Sequence, residues 1–297
     1  MSRSNQHLLI AAVYAWGVLV AIALPHTTES GFDPISVIAP LIPLILISAS
    51  IHYANEYADH ETDALTVRTP YSGGSGALRD YSASPKTALM AAWVSLISGS
   101  IIAIVMYATG YLPFIVLPIL AVGAFGGWMY SLRPLALAWR RRGEIINAFL
   151  GGILLPVMGY AVYSARVDRQ IILLTLPFAI LAFDNLLATT WSDRAADEQV
   201  GKFTLATMWS TGRLRKIYFL SWTGALLVLL LSQGSVLPVQ ICWACFLIPP
   251  GVIWADRSYT RKDSPFPSVM VMVLFLIVQL VGWTAMIALP DAFNLIV

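Results

Sequence analysis

The residues of this sequence best suited to chemistry are carboxylates at the ends of apolar runs. Asn55, Asp59 and Asp63 stand at i, i+4 and i+8 within Asn55-Glu56-Tyr57-Ala58-Asp59-His60-Glu61-Thr62-Asp63, which holds four carboxylates. A helix carried through them puts all three on one face, within an ~80° arc and with successive side chains ~6 Å apart. His52 falls on that face too. Like charges stacked this way repel by roughly 0.2–0.5 kcal/mol per pair, so helix stability does not select them. A divalent cation reverses the sign.

A second acidic pair, Asp193 and Asp197, is also spaced i, i+4, and steps of four backwards reach Thr189 and Asn185. Arg68 follows Asp63 by five residues and Lys202 follows Asp197 by five, so both sites read D-x-x-x-D-x-x-x-x-[RK]. Mg2+ prefers carboxylate oxygens, keeps several waters and shares its shell with substrate phosphates. Two such clusters facing each other clamp a diphosphate and neutralise its charge as a leaving group, while Arg68 and Lys202 hold its remaining oxygens. One Asp-x-x-x-Asp alone reads more readily as a solvated loop. Its recurrence with the same basic follower favours metal and diphosphate.

The elements that must position these residues are membrane helices. The 297 residues are 58% hydrophobic and 11% charged, against about 25% charged in soluble proteins. Uninterrupted apolar runs of about 20 residues, rather than short alternating ones, exclude a transmembrane barrel. A formal net charge of +2 and no basic tract interleaved with aromatics exclude nucleic acid as a partner. Two Cys exclude a disulfide-stapled scaffold. Spans are expected near 8–24, 35–55, 86–109, 112–130, 145–164, 171–191, 215–232, 237–254 and 268–288. Ala21-Ile22-Ala23 has the form of a signal-peptide cleavage site, but the first run outlasts the ~7–15 residues of an h-region and reads as a span.

With nine spans, one side of the membrane holds all the Lys and Arg except Arg166 and Arg169. Positive residues favour the cytoplasmic side, so the amino terminus is expected there. Four spans separate the two acidic motifs, which puts both on that same side. The pattern predicts a single domain over 1–297, with a parallel four-helix repeat near 8–130 and 145–254 and a ninth helix appended. The expected fold is an all-α integral membrane bundle of about nine transmembrane helices, with two cytoplasmic Asp-rich catalytic loops.

These motifs resemble the UbiA superfamily of intramembrane prenyltransferases, which carries N/D-x-x-x-D-x-x-x-D after the second helix and D-x-x-x-D after the sixth. NEYADHETD with SGGSGAL, MYSLRPLALAWRRRGEI and SDRAADEQVGKFTLA are similar to the 1,4-dihydroxy-2-naphthoate polyprenyltransferase branch. Where that branch has Asn-Asn before the second Asp pair, this chain has Thr189-Thr190. The resemblance implies Mg2+-dependent ionisation of an allylic polyprenyl diphosphate and attack by an aromatic acceptor, in a bacterial or archaeal inner membrane and in lipoquinone biosynthesis. By position it implies metal binding by Asn55, Asp59 and Asp63 and by Asp193 and Asp197, with Arg68 and Lys202 on diphosphate. Tyr130 and Arg133 match a family Tyr-x-x-Lys/Arg element, the ring facing a cation and the basic group a phosphate.

Three further features have two readings each. Gly73-Gly74-Ser75-Gly76 lacks the Lys-Ser/Thr of a P-loop and reads as a flexible active-site cap rather than a phosphate cradle. Asp184 lies within a span, nine residues before Asp193 and so on the opposite helix face. It either lines an acceptor pocket or makes a structural hydrogen bond. Cys242 and Cys245 read as packing residues, and Arg140, Arg141 and Arg142 as an interfacial anchor to the lipid bilayer. Two other functions compete: a UbiA-type enzyme with a non-quinone acceptor or a prenyl cyclisation, and an ion-coupled transporter. Transporters hold their sites near the midplane, whereas these acids sit at helix ends.

Overall fold

A computed structural model describes residues 4–24, 33–65, 74–80 and 83–291, and among these every regular element is a helix. In order they are α1 (Ser4–Ala23), α2 (Pro34–Ile38), α3 (Leu41–Ala58), α4 (His60–Leu65), α5 (Ala77–Asp80), α6 (Pro85–Ala108) and α7 (Val116–Ser131). After a 3-10 turn at Leu137–Trp139 come α8 (Gly143–Phe149), a π-helical segment (Leu150–Leu154) and α9 (Leu155–Ser164), which together form one span. The remainder is α10 (Arg169–Gln199), α11 (Leu205–Met208), α12 (Thr211–Leu231), α13 (Val239–Ala244), α14 (Pro249–Ser258) and α15 (Phe266–Ala288).

Among the described residues, seven helices are long and apolar enough to cross a bilayer, and an eighth span forms if the pair Val239–Leu247 and Pro249–Ser258, bent by 41°, is counted as one. The ninth expected span corresponds to α7, whose 16 residues fall short of the ~20 that hydrocarbon thickness demands. Large apolar side chains also face outward, such as Ile101 and Ile104 on α6, Leu231 on α12 and Val281 on α15. In lipid this exposure costs nothing, and helices satisfy their own backbone groups there. The protein is an integral membrane protein.

Packing rests on small residues and one aromatic knot. A Cβ on Gly17 of α1 would lie 1.9 Å from the Pro156 carbonyl oxygen, and one on Gly159 of α9 would lie 2.0 Å from that of Tyr14. The two backbones therefore touch, the approach that drives helix association where lipid is as apolar as the core. Trp16 then meets Phe178 of α10 edge-on, ring centroids 5.5 Å apart, and Phe275 of α15 at 6.3 Å. α3 lies along α6, where Gly99 sits against Pro43, Leu46 and Ile47.

The sequence reading needs one correction. The second acidic pair does not lie in a loop, because α10 runs 31 residues to Gln199 and carries Asp193 and Asp197 on its last turns. The polar composition there mimicked a loop, yet the residues after Thr190 include no proline or glycine before Gly201. The first motif is nearly as regular: α3 ends at Ala58, Asp59 is its C-cap, and Asp63 lies in α4.

Candidate functional site: two acidic helix ends joined by a lysine

At the end of α3 the chain bends at Asp59 but keeps the helical hydrogen-bond register, Asp59 N–H donating to the Asn55 carbonyl and Asp63 N–H to that of Asp59, both at 2.8 Å. Asn55, Asp59 and Asp63 therefore stay on one side through the break. Asn55 Nδ2 donates to Asp59 Oδ2 at 2.7 Å and to Ser131 Oγ at 3.1 Å, fixing the motif to the end of α7. The Trp139 indole N–H donates to Asp59 Oδ1 at 3.2 Å.

At the end of α10, Gly201 adopts φ +72° and closes a Schellman motif, with Gly201 N–H donating to the Glu198 carbonyl at 3.2 Å and Lys202 N–H to that of Asp197 at 2.8 Å. That closure returns Lys202 to Asp197, which is the physical basis of the five-residue spacing. Backbone bonds from Arg141 N–H to the Phe203 carbonyl (2.7 Å) and from Phe203 N–H to that of Trp139 (3.2 Å) then hold the turn against the 3-10 segment. The Lys202 ammonium ends between the two motifs, 3.3 Å from Asp59 Oδ1 and 3.5 Å from Asp197 Oδ1, and 5.8 Å from the Trp139 ring centre.

Carboxylates crowd this cluster. Burial, then the charges of Asp59 and Glu56, and that of Asp193 from the facing helix, push the Asp63 carboxyl up to about 7 against the pull of Lys202. Burial disfavours the Lys202 ammonium, but Asp59 and Asp197 outweigh it and hold its pKa above the usual amine range. Among the described residues, Lys202 is the cation paired with both Asp59 and Asp197. Among the described residues no three His, Cys, Asp or Glu side chains converge tightly enough to ring an ion. Hard carboxylate oxygen donors nevertheless suit Mg2+, which takes one or two protein carboxylates and completes its shell with water and phosphate.

A glycine-rich segment covers this cluster. Ser75 donates its backbone N–H to Glu56 Oε1 at 2.6 Å and its hydroxyl to Glu56 Oε2 at 2.9 Å. Gly74, at φ +63°, then rests on Asp63, where a Cβ would come 2.1 Å from Oδ2. The cap is tethered rather than loose, while Gly73 lies outside the described residues.

A family model described as the UbiA prenyltransferase family matches residues 12–276. The chain belongs to that family. It is a prenyltransferase. It is 23% identical over 273 residues to the 1,4-dihydroxy-2-naphthoate octaprenyltransferase of Bacillus subtilis (strain 168), covering 86% of each chain. In fold it is similar to a UbiA homologue from Archaeoglobus fulgidus bound to DMAPP and Mg2+, with TM-score 0.62, 18% identity, and 94% of this chain and 99% of that one covered. It is likewise similar to the apo UbiA homologue from Aeropyrum pernix K1, with TM-score 0.66, 13% identity, and 95% and 97% covered.

Within this UbiA-family chain the remaining site residues divide. Tyr130, near the end of α7, is within electrostatic reach of Lys202, Asp59, Glu144 and Asp197, and so borders the cluster. Asn185 and Thr189 share the α10 face that leads to Asp193; Asn185 Oδ1 is buried with no hydrogen-bond partner among the described residues, and Thr189 donates its hydroxyl to the Asn185 carbonyl at 3.0 Å. Arg133 is exposed beyond α7 and makes no ion pair among the described residues. Arg68 lies outside the described residues. Asp184 is buried on the far side of α10 and accepts a hydrogen bond from the Ser221 hydroxyl of α12, away from the joined acids.

Three residues at the site carried no role in the sequence reading. Trp139 and Glu56 bind Asp59 and the cap respectively, and Glu144, 1% exposed at the start of α8, accepts from Leu205 N–H at 3.0 Å. A Glu in the first turn of a membrane helix, after Arg140-Arg141-Arg142-Gly143, was the one available signal.

Proposed function

We propose that this chain transfers a polyprenyl group from an allylic polyprenyl diphosphate to an aromatic acceptor of the 1,4-dihydroxy-2-naphthoate type, with Mg2+, as a step in lipoquinone biosynthesis. The observation that carries the reading is Lys202, whose ammonium joins Asp59 of one acidic helix end to Asp197 of the other. Two facing carboxylate sets with a cation at their seam form a receptor for a highly charged anion and its metal. A transporter would need such acids along a path through the bundle, not at its end.

Asn55, Asp59 and Asp63 on one side and Asp193 and Asp197 on the other would hold Mg2+. Bound there, it supplies positive charge to the diphosphate as it leaves. Lys202 hydrogen-bonds a diphosphate oxygen, with Arg68 and Arg133 as further basic groups, and Tyr130 presents its ring to the allylic cation. The allylic C–O bond breaks with its electron pair leaving on diphosphate. A ring carbon of the acceptor supplies the pair for the new C–C bond, and the ring then loses a proton. The helices hold the prenyl chain in apolar surroundings and keep water from the cation.

The same reading takes α7 as a ninth, short span and places both motifs and the amino terminus on the cytoplasmic side of a bacterial or archaeal inner membrane. It also takes 8–130 and 145–254 as parallel repeats. The common end shared by Asp59 and Asp197 supports the parity, and the Bacillus subtilis relative supports the acceptor class.

The test is to incubate purified protein in nanodiscs with Mg2+, polyprenyl diphosphates of several lengths and a panel of aromatic acceptors, then identify products by mass. A prenylated dihydroxynaphthoate product is expected. Product only with another aromatic acid, or a cyclised hydrocarbon with none, keeps the family and rejects the acceptor.

A further inference from the structure

Glu56 belongs to the first acidic motif by sequence but differs from its neighbours in what it touches. Seven residues, about two helical turns, separate it from Asp63, so the two carboxylates fall on one side of the chain, about 20° apart. The backbone bonds through Asp59 preserve that register across the bend. Two consecutive cap residues meet the two acids. Ser75 takes Glu56, donating its N–H to Oε1 at 2.6 Å and its hydroxyl to Oε2 at 2.9 Å. Gly74 takes Asp63, with no room for a Cβ beside Oδ2. The Ser75 hydroxyl oxygen also accepts from Ala77 N–H at 3.2 Å, which ties the first residue of α5 into the same joint.

Glu56 is buried at the end of a membrane helix. A carboxylate left unpaired there is costly, and bonds to it from a backbone N–H and a hydroxyl are among the strong ones. Both of its oxygens are engaged by one cap residue, whereas Asp59 faces Trp139 and Lys202. With Ser75 held on Glu56, its neighbour Gly74 is held against Asp63. That contact requires glycine, both for φ +63° and for space.

Resting on the proposed function, we infer that Glu56 is a positioning residue: it binds no metal, and its two bonds to Ser75 seat the cap on Asp63 so that this carboxylate is held in place for Mg2+ and diphosphate. Order set in advance lowers what binding must spend on ordering the site. The motif thus divides by task, with Asn55, Asp59 and Asp63 turned to the ligand and Glu56 to the cap.

Glu56→Gln and Glu56→Ala separate a joint from a metal ligand. Gln keeps the size, accepts from Ser75 N–H through its carbonyl and donates its amide to the Ser75 hydroxyl oxygen, so the joint survives without the charge. Ala removes it. With Mg2+, one polyprenyl diphosphate and 1,4-dihydroxy-2-naphthoate as probes, Glu56→Ala should raise the KM for the diphosphate about tenfold or more. The acceptor KM should stay within about twofold, and Glu56→Gln should bring the diphosphate KM back to within about threefold of wild type. Ser75→Ala, which loses only the hydroxyl bond, should fall between, and adding it to Glu56→Ala should cost nothing further. Where Glu56→Ala does not purify, Ser75→Ala gives the same comparison against wild type.

A readout that needs no turnover is maleimide labelling of Ala77→Cys in metal-free protein, in which Cys242 and Cys245 are buried. Glu56→Ala should speed this labelling about tenfold or more, and Glu56→Gln should not. Equal losses in Glu56→Gln and Glu56→Ala, as a metal ligand gives, overturn the assignment. So does a Glu56→Ala protein whose labelling or diphosphate KM is unchanged, and either result leaves the proposed function standing. Wild type that transfers no prenyl group overturns the function and the positioning role with it, while the labelling still reads the joint itself.

Discussion

The Lys202 ammonium stands 3.3 Å from Asp59 Oδ1, although 143 residues separate the two in the chain. Both side chains are about one-eighth exposed, so the pair is buried and solvent screens it little. Lys202→Met should leave Asp59 and Asp197 uncompensated, costing about 3–5 kcal/mol of stability as broken buried pairs do. Thermal unfolding followed by tryptophan fluorescence should show a lower midpoint, with added Mg2+ recovering part of it. Turnover should fall by about 100-fold or more.

Removal of divalent metal should abolish turnover, because the carboxylates alone repel a diphosphate. Excess EDTA followed by dialysis into Mg2+ provides the measurement. Asp59→Asn and Asp193→Asn keep side-chain size and remove charge, and each should lower kcat by about 100-fold or more while helical circular dichroism is unchanged. Full activity in EDTA, or in either variant, would falsify the metal assignment.

Gly74→Ala isolates the cap. At φ +63° a side chain is strained, and the added Cβ would fall 2.1 Å from Asp63 Oδ2, so either the carboxylate or the cap must move. The variant should retain its fold and lose about tenfold or more in kcat/KM. Gly224→Ala in the middle of α12 is the control, because nothing lies within 4 Å of the new Cβ and helix propensity gains by roughly 0.5–1 kcal/mol.

The crossing of α1 and α9 should tolerate no side chain. Gly17→Val sets branched carbons where the Pro156 carbonyl oxygen stands, and steric overlap with backbone cannot be relieved by a rotamer change. The expected result is a loss of about 3 kcal/mol or more, read as a lower midpoint or failure to purify as a monodisperse species. Gly151→Ala, which meets nothing within 4 Å, should purify normally.

Much of this follows from short-range periodicity. Steps of four placed Asn55, Asp59 and Asp63 on one side, and the observed i to i−4 backbone bonds keep them there through the bend. The five-residue step from Asp197 to Lys202 was visible as a spacing, and its cause is the Schellman closure at Gly201, equally local. Long apolar runs marked the seven helices long enough to span, though α10 ran on past its expected end because a polar helix and a polar loop look alike in composition. Nine residues of helix predicted that Asp184 would face away from Asp193, and its partner is Ser221.

Which carboxylate Lys202 would reach, and what lies around it, was decided only by the bundle. Asp59 to Trp139, Glu56 to Ser75 and Glu144 to Leu205 join residues 80, 19 and 61 apart, and no repeat in the sequence encodes such distances. They depend on how the turns at Phe203 and Trp139 dock through backbone bonds any residue can make. Residue type fixes which groups can ionise, donate or accept. The choice of partner belongs to packing, because in an apolar bundle a buried polar atom can bond only what the helix geometry brings within reach.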